Sequence, residues 1–404
     1  MSLRRYRALL QTPQVRRLLS ASVLGRLPVG MVGLALVLLV RHAGGSFGLA
    51  GLTAGSFSLG AGVVAPLMGR IVDRNGQTAV LLPCALVCAG AFGAFALVAG
   101  SGPSPLLPAI AAIAGATIPP ISACVRVLWS FLLGRGAELQ TAFALEATVQ
   151  ELIYIIGPLL VVGLIAVASP AAAVLAIAAA VLLGTGLFAA TPASRTWRPS
   201  GSRGDWAGAL RGPGVRTLLG VIGLVAVSVG MIEVCVPAVA EHLGSRALSG
   251  LFLALWSGGS MLGGLVAGAL TGGRPVERRM VVVLSLVALG LAPLVVAMVA
   301  VLPFAACMVL AGLGFAPALA CLYLLVDRSA PDGTVTEAFT WMTSAITSGS
   351  AAGSALAGVI IQRSGPRTAL LLALCAVGAA ALLARIRRPT LAASPRPALG
   401  TEGA

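Results

Sequence analysis

Residues 9–19 read LLQTPQVRRLL, and residues 209–219 read ALRGPGVRTLL. Pro13, Val15, Arg16, Leu18 and Leu19 recur as Pro213, Val215, Arg216, Leu218 and Leu219, and a long apolar run follows each copy. The correspondence continues down the chain. GLTAGSFSLGAGVVAPLMG from Gly51 matches GLFLALWSGGSMLGGLVAG from Gly250, setting Gly60 on Gly259 and Gly69 on Gly268. GATIPPISAC from Gly115 matches GLGFAPALAC from Gly312, setting Pro120 on Pro317 and Cys124 on Cys321. Ala142, Phe143 and Gly157 then fall on Ala338, Phe339 and Gly353. The offset drifts only from 200 to 196 across these matches, which implies a duplication. Each half opens on a Thr/Gly-Pro helix start, and Thr12-Pro13 suits an N-cap followed by the first helical position.

Composition says where the two halves reside. Of 404 residues 58% are hydrophobic and 10% charged, and the mean hydropathy is +1.01. A soluble domain carries about 25% charged residues, so this chain cannot cover itself with a water-facing surface. The net charge is +15, and the 27 basic residues are all arginine, almost all of them at the ends of apolar runs rather than in a patch with interleaved aromatics. That distribution argues against nucleic acid. The seven cysteines all lie inside apolar runs, and His42 and His242 lie in short polar connections. The cysteines are expected to pack; no disulfide framework, metal site or cofactor is implied.

Breaks at Pro, Gly, Arg or Asp leave twelve apolar runs, near 18–40, 49–71, 78–99, 106–132, 140–167, 170–190, 217–239, 248–271, 280–300, 303–326, 337–361 and 368–385. About 20 residues span a bilayer as a helix, and lipid-exposed backbone needs helices or a closed barrel. None of the runs alternates with period two. The expected fold is an all-α membrane protein of twelve transmembrane helices in two pseudo-symmetric six-helix bundles. The bundles are expected over 1–190 and 215–390, joined by a cytoplasmic linker at 191–214, with a disordered cytoplasmic tail at 391–404. The first run is read as a retained span, because it lacks a small-residue cleavage site at its end. Twenty-one arginines flank one side, among them Arg70 and Arg74; Arg41, Arg246, Arg363 and Arg367 flank the other. The positive-inside rule then puts both termini in the cytoplasm, and composition suggests a bacterial plasma membrane. Parallel repeats of this kind place a binding site between the halves, near the bilayer midplane.

Between spans two and three stands GRIVDRNGQ, residues 69–77. Gly-x-x-x-Asp-Arg-x-Gly in that position resembles the signature loop of the major facilitator superfamily, and with the twelve spans and two halves the resemblance covers about residues 5–388. It implies the major facilitator fold, secondary transport of a small molecule by alternating access, and a monomer. It further implies that Gly69 allows close helix approach and that Asp73 is a latch to the start of span eleven, with Arg74 its charged neighbour. Span eleven opens after PDGTVTE, residues 331–337, and a helix N-terminus favours a carboxylate. Gly76 permits the tight turn. The family's basic pair after that glycine is replaced by Gln77 and Thr78. IIGPLL, around Gly157 and Pro158, resembles the helix-packing motif of drug–proton antiporters in the same superfamily, but Ile153, Val161 and Val162 stand where that motif has glycines.

Ionisable residues inside spans are costly unless paired or hydrated, which makes Arg26, Arg126, Glu146, Glu151 and Glu233 candidates. With about 1.5 Å rise per residue, Arg126 and Glu146 lie at one depth on spans four and five, where an ion pair is expected. Glu146 and Glu151 point about 140° apart and cannot face the same partner. Glu151, near the midplane beside Gln150 and Tyr154, is the expected proton-coupling residue, within a charge layer that includes Arg26. The second half is expected to supply neutral groups to a substrate cavity: Trp256, Ser257, Tyr323, Thr340, Trp341, Thr343 and Thr347, with Glu233 toward the outer end. No Walker loop, Gly-x-Ser-x-Gly elbow or histidine motif points to an enzyme. The function expected is proton-coupled export of a small, partly apolar molecule across the lipid bilayer. Uptake or facilitated diffusion of a polar metabolite is the alternative within that class. A non-transporting membrane receptor or assembly partner is the alternative outside it.

Overall fold

The computed structural model describes residues 2–45, 47–101, 104–134, 136–198, 208–244, 248–269 and 275–392. The expected tail from residue 393, the middle of the expected linker, and Arg135, Arg203, Arg246, Arg274 and Arg396 lie outside the described residues.

The apolar runs are helices. A helix that the hydropathy pattern does not show, α1 (Ser2–Gln11), precedes the first crossing. The first half then has α2 (Pro13–His42), α3 (Phe47–Asn75), α4 (Gln77–Gly100), α5 (Leu107–Ala116), α6 (Ile121–Leu133), α7 (Ala137–Val167) and α8 (Pro170–Ala189). α5 and α6 form one crossing, interrupted at Pro119 and Pro120 because proline removes an amide donor and clashes with the preceding turn. A short α9 (Pro192–Thr196) and a 3-10 turn, Gly208–Arg211, stand on either side of the undescribed linker residues. The second half has α10 (Pro213–His242), α11 (Leu248–Ala269), α12 (Val276–Leu291), α13 (Leu294–Ala297), α14 (Val301–Gly312), α15 (Phe315–Ser329), α16 (Val335–Ile386) and α17 (Arg388–Leu391). Among the described residues, eleven helical segments are long and apolar enough to cross a membrane. The 52-residue α16 is two of the expected spans, 335–364 and 366–386, because Gly365 at φ +79° breaks it between them. Twelve candidate crossings result among the described residues.

Helix starts follow the chain's prolines, with one correction. Pro13, Pro170 and Pro192 each sit at the first helical position, where a missing N–H costs nothing. Ser169 caps α8 by accepting from the Ala172 N–H at 3.1 Å. Thr12 occupies the N-cap position of α2, but its hydroxyl makes no capping bond.

The duplicated sequence is duplicated packing. In the first half a Cβ on Gly30 or Gly157 would run into the backbone of the other's helix, so α2 and α7 touch through glycine. In the second half Gly230 meets the backbone at Ser350 and Gly353 meets it at Val227, joining α10 and α16 in the same way. Gly60 and Gly115 join α3 to α5, and their counterparts Gly259 and Gly312 join α11 to α14. Without a hydrophobic drive inside lipid, helices associate by such close backbone approach.

Three cores show how the halves meet. Both described ends of the chain lie on one face, where Tyr6 donates to the Leu265 carbonyl at 3.2 Å and Thr217 meets Thr390 at 3.0 Å. Toward this terminal face a single cluster mixes both halves, with Leu18, Val72 and Leu128 alongside Val215, Leu325 and Ala338. Toward the opposite face two clusters stand apart. One, with Leu36, Phe92 and Val181, is built from the first half alone; the other, with Val236, Phe304 and Val377, from the second. The molecule is therefore closed at the terminal face and parted at the other.

Candidate functional site

Where α3 crosses the start of α16, the terminal face is closed by polar contacts. Both carboxylate oxygens of Asp73 accept from backbone, from the Thr336 N–H at 3.2 Å and the Glu337 N–H at 2.8 Å. These are unpaired donors of the first turn of α16, and the helix dipole favours the negative charge. Gly69 makes the approach possible, since a Cβ there would press on the Thr336 carbonyl and Glu337 Cα. Gly76 turns the chain at φ +89°. Arg70 pairs with Glu337 in a two-pronged contact, Nη2 to Oε1 at 2.7 Å and Nε to Oε2 at 3.3 Å. Trp341 Nε1 donates to the same Oε1 at 3.3 Å.

Sequence reasoning counted Arg70 only as a flanking charge and did not single out Glu337. A signal was available: Arg70 stands three residues before Asp73, hence on the same helix face, and Glu337 is the acid that opens span eleven. Two further bonds join the halves on this side, Ser130 to Asp327 at 2.7 Å and Arg279 to Gln140 at 3.3 Å. Helix α1 adds another clamp. Burial pushes the Tyr6 phenol up to about 12, so it stays a donor to the end of α11.

Deeper, the charged residues of the first half converge. Glu146 is fully buried, and Oε1 faces Arg26 Nη1 at 2.9 Å and Arg126 Nε at 3.6 Å. The expected partner Arg126 is thus the more distant of two, and Arg26 completes a triad. Its reach across from α2 follows from the glycine contact between α2 and α7, which no spacing along the sequence reveals. Arg26 Nη2 donates to Gln150 Oε1 at 2.6 Å, and Arg126 Nη2 donates to the Tyr323 hydroxyl at 3.2 Å. The Arg126 guanidinium also lies 4.1 Å from the centre of the Tyr323 ring, a cation–π geometry. Among the described residues no donor reaches Glu146 Oε2.

Glu151 points another way, as its spacing from Glu146 requires. It is 7% exposed and faces Ser260 of α11 across the junction of the halves. Among the described residues no arginine pairs with it. Toward the parted face, Tyr154 and Thr343 are exposed, Gln150 and Thr347 half-buried, and Glu233 lies 3.5 Å from Ser350. The residues expected to line a cavity divide accordingly. Tyr323 and Thr340 are buried among helices. Trp256 packs inside the second half, edge-on to Phe315 with centroids 6.0 Å apart and its backbone against Gly312. Hydropathy cannot separate a polar group that faces a cleft from one that faces a neighbouring helix.

Comparisons with known proteins agree with this architecture. Residues 218–403 match the sequence pattern of the Major Facilitator Superfamily. No curated protein matches the chain significantly. Among solved structures, a bacterial homologue of the iron transporter ferroportin in an outward-facing state is similar, with TM-score 0.75 and 17% identity over 93% of this chain and 99% of that one. The human organic anion transporter TETRAN is similar with TM-score 0.73 and 17% identity, covering 92% of this chain and 99% of that one. The fucose:proton symporter of E. coli is similar with TM-score 0.71 and 15% identity, covering 92% of this chain and 98% of that one. With paired glycine contacts in the two halves, the chain has the fold of these solved transporters, and residues 218–403 resemble the Major Facilitator Superfamily.

Proposed function

We propose that the protein exports a small, partly apolar molecule in exchange for protons. In this reading the bundles 1–190 and 215–390 rock as units about the charge layer, the linker 191–214 connects them, and a monomer suffices. On the same reading the terminal face, rich in arginine, lies in the cytoplasm of a bacterial cell, as composition suggests, and the present state opens outward. Asp73, Arg70 and Glu337 act as the inner gate. Glu151 carries the proton. A carboxyl in a site of low polarity with no cation beside it is stable only with a proton bound or a partner brought to it. Its contact with Ser260 lies where the halves separate when the inner side opens, so gaining or losing a proton there favours one state over the other.

One observation carries this: a shared core at one face and two separate cores at the other, with a buried carboxyl at the junction that no arginine among the described residues pairs. The test is flux into proteoliposomes with and without an imposed pH gradient, for the native protein and Glu151→Gln. We expect the gradient to accelerate native flux and to leave the variant's flux unchanged, with exchange at equal pH retained. Native flux indifferent to the gradient points instead to facilitated diffusion, and proton entry alongside inward cargo to uptake.

The gate makes its own prediction. Asp73→Ala removes two hydrogen bonds to a charged acceptor, each worth about 1.5–3 kcal/mol. The population should shift at least tenfold toward an inner-open state. Spin labels at Asn75 and Asp332, measured by double electron–electron resonance, should move apart. Unchanged distances would remove Asp73 from the gate.

A further inference from the structure

The charge layer is not balanced. Two guanidinium groups face one carboxylate, and all three side chains are at most 5% exposed. The second half sets against them Tyr323 and Phe339, the latter ring 5.7 Å from the Arg126 guanidinium, and neither carries charge. Elsewhere in the interior the account closes locally: Glu337 is matched by Arg70, and Asp73 is held by two backbone donors. Glu151 leaves the imbalance in place, because it projects from another side of α7 toward Ser260 and pairs with neither arginine. Donors are left over as well. Arg26 Nε and Arg126 Nε are buried without a hydrogen-bond acceptor among the described residues. A buried cation without its anion is among the costliest arrangements a protein interior can hold, unless something supplies the charge.

The surroundings show from which side it can be supplied. Gln150, which holds Arg26, is half-buried, and Tyr154, one turn further along α7, is exposed toward the parted face. Both arginines lie within electrostatic reach of Tyr154. The terminal side of the layer is sealed by the Arg70–Glu337 and Asp73 contacts. A ligand descending the cleft therefore meets an aromatic hydroxyl first and the unbalanced guanidinium groups at the floor.

We infer that the cargo is a small organic anion, whose carboxylate or similar acidic group is taken by the surplus positive charge of Arg26 and Arg126 while its apolar body lies against Tyr154. The inference rests on the transport reading above and deepens it by naming the chemical class of what is carried. It makes the triad a cargo site, and leaves the proton to Glu151.

The test uses a series that differs in charge and little in shape: 1-naphthoate, 1-naphthamide and 1-naphthylmethylammonium. Each is titrated calorimetrically into the full chain in lipid nanodiscs, with empty discs as control. The carboxylate should bind at least tenfold more tightly than the amide or the ammonium. Arg126→Gln should bring the three within about threefold of one another. Glu146→Gln, which keeps an acceptor oxygen and enlarges the surplus, should widen the preference for the anion at least threefold. Two variants with opposite signs keep the test open should one of them fail to fold. Binding of the ammonium or amide as tightly as the carboxylate overturns the inference, as do a preference untouched by both substitutions and binding by none of the three. Anion preference with flux indifferent to a pH gradient would instead defeat the proton-coupling reading and leave this one standing.

Discussion

Glu146→Ala should lower the stability of the folded protein by about 3–5 kcal/mol, the usual cost of removing one member of a buried ion pair. The reason lies in what remains. Arg26 and Arg126 would face one another in a fully buried layer with no anion between them, since Glu146 is the acid within ion-pair distance of both. Unfolding in detergent, followed by heat or denaturant, measures the loss. The companion Arg26→Gln leaves Glu146 with Arg126 at 3.6 Å and removes the like-charge contact, so its cost should be clearly smaller. Equal losses in the two variants would mean that Glu146 serves as one more packed side chain rather than as the counter-charge of the layer.

The second large effect should come from sites that carry no chemistry. Gly157→Leu and Gly353→Leu each place a side chain where the partner helix already has backbone, at Gly30 in one half and Val227 in the other. Overpacking a core with movable side chains costs about 1–3 kcal/mol. Here the obstacle is main chain, so α7 must part from α2, or the first segment of α16 from α10, and the loss should exceed that range. We expect both variants to be recovered in low yield and to unfold well below the native protein. Gly163→Leu is the control, because nothing lies within 4 Å of its Cβ position, and it should behave as native. Similar behaviour of all three would show that the glycine contacts do not hold the bundles together.

The candidate site was partly legible for a physical reason. A charge inside an apolar run is expensive enough to stand out, and Arg26, Arg126, Glu146 and Glu151 all did. Asp73 was visible through its loop motif. Pairing was much less legible. Spacing along adjacent helices suggested Arg126 as the partner of Glu146, whereas the nearer partner, Arg26, arrives on a helix 120 residues away in the chain. Arg70 and Glu337 are separated by 267 positions, and each looked ordinary among flanking charges. Trp256 and Tyr323 were grouped with cavity residues because they are polar or aromatic at suitable depths, and burial placed them among helices instead.

Hydropathy and self-similarity by themselves determined that this chain forms twelve membrane-crossing helices in two related sets of six. Both properties are local: a run of about 20 apolar residues has few options in lipid, and a repeat shows by comparison of letters alone. Tertiary structure alone decided which charge answers which, that a helix before the first crossing ties Tyr6 to the far half, and that one core closes the terminal face while two cores part opposite it. Those outcomes depend on how helices far apart in the chain are rotated and how closely they approach. A few glycines and one buried carboxylate set that geometry, and their effect appears only once the helices are side by side.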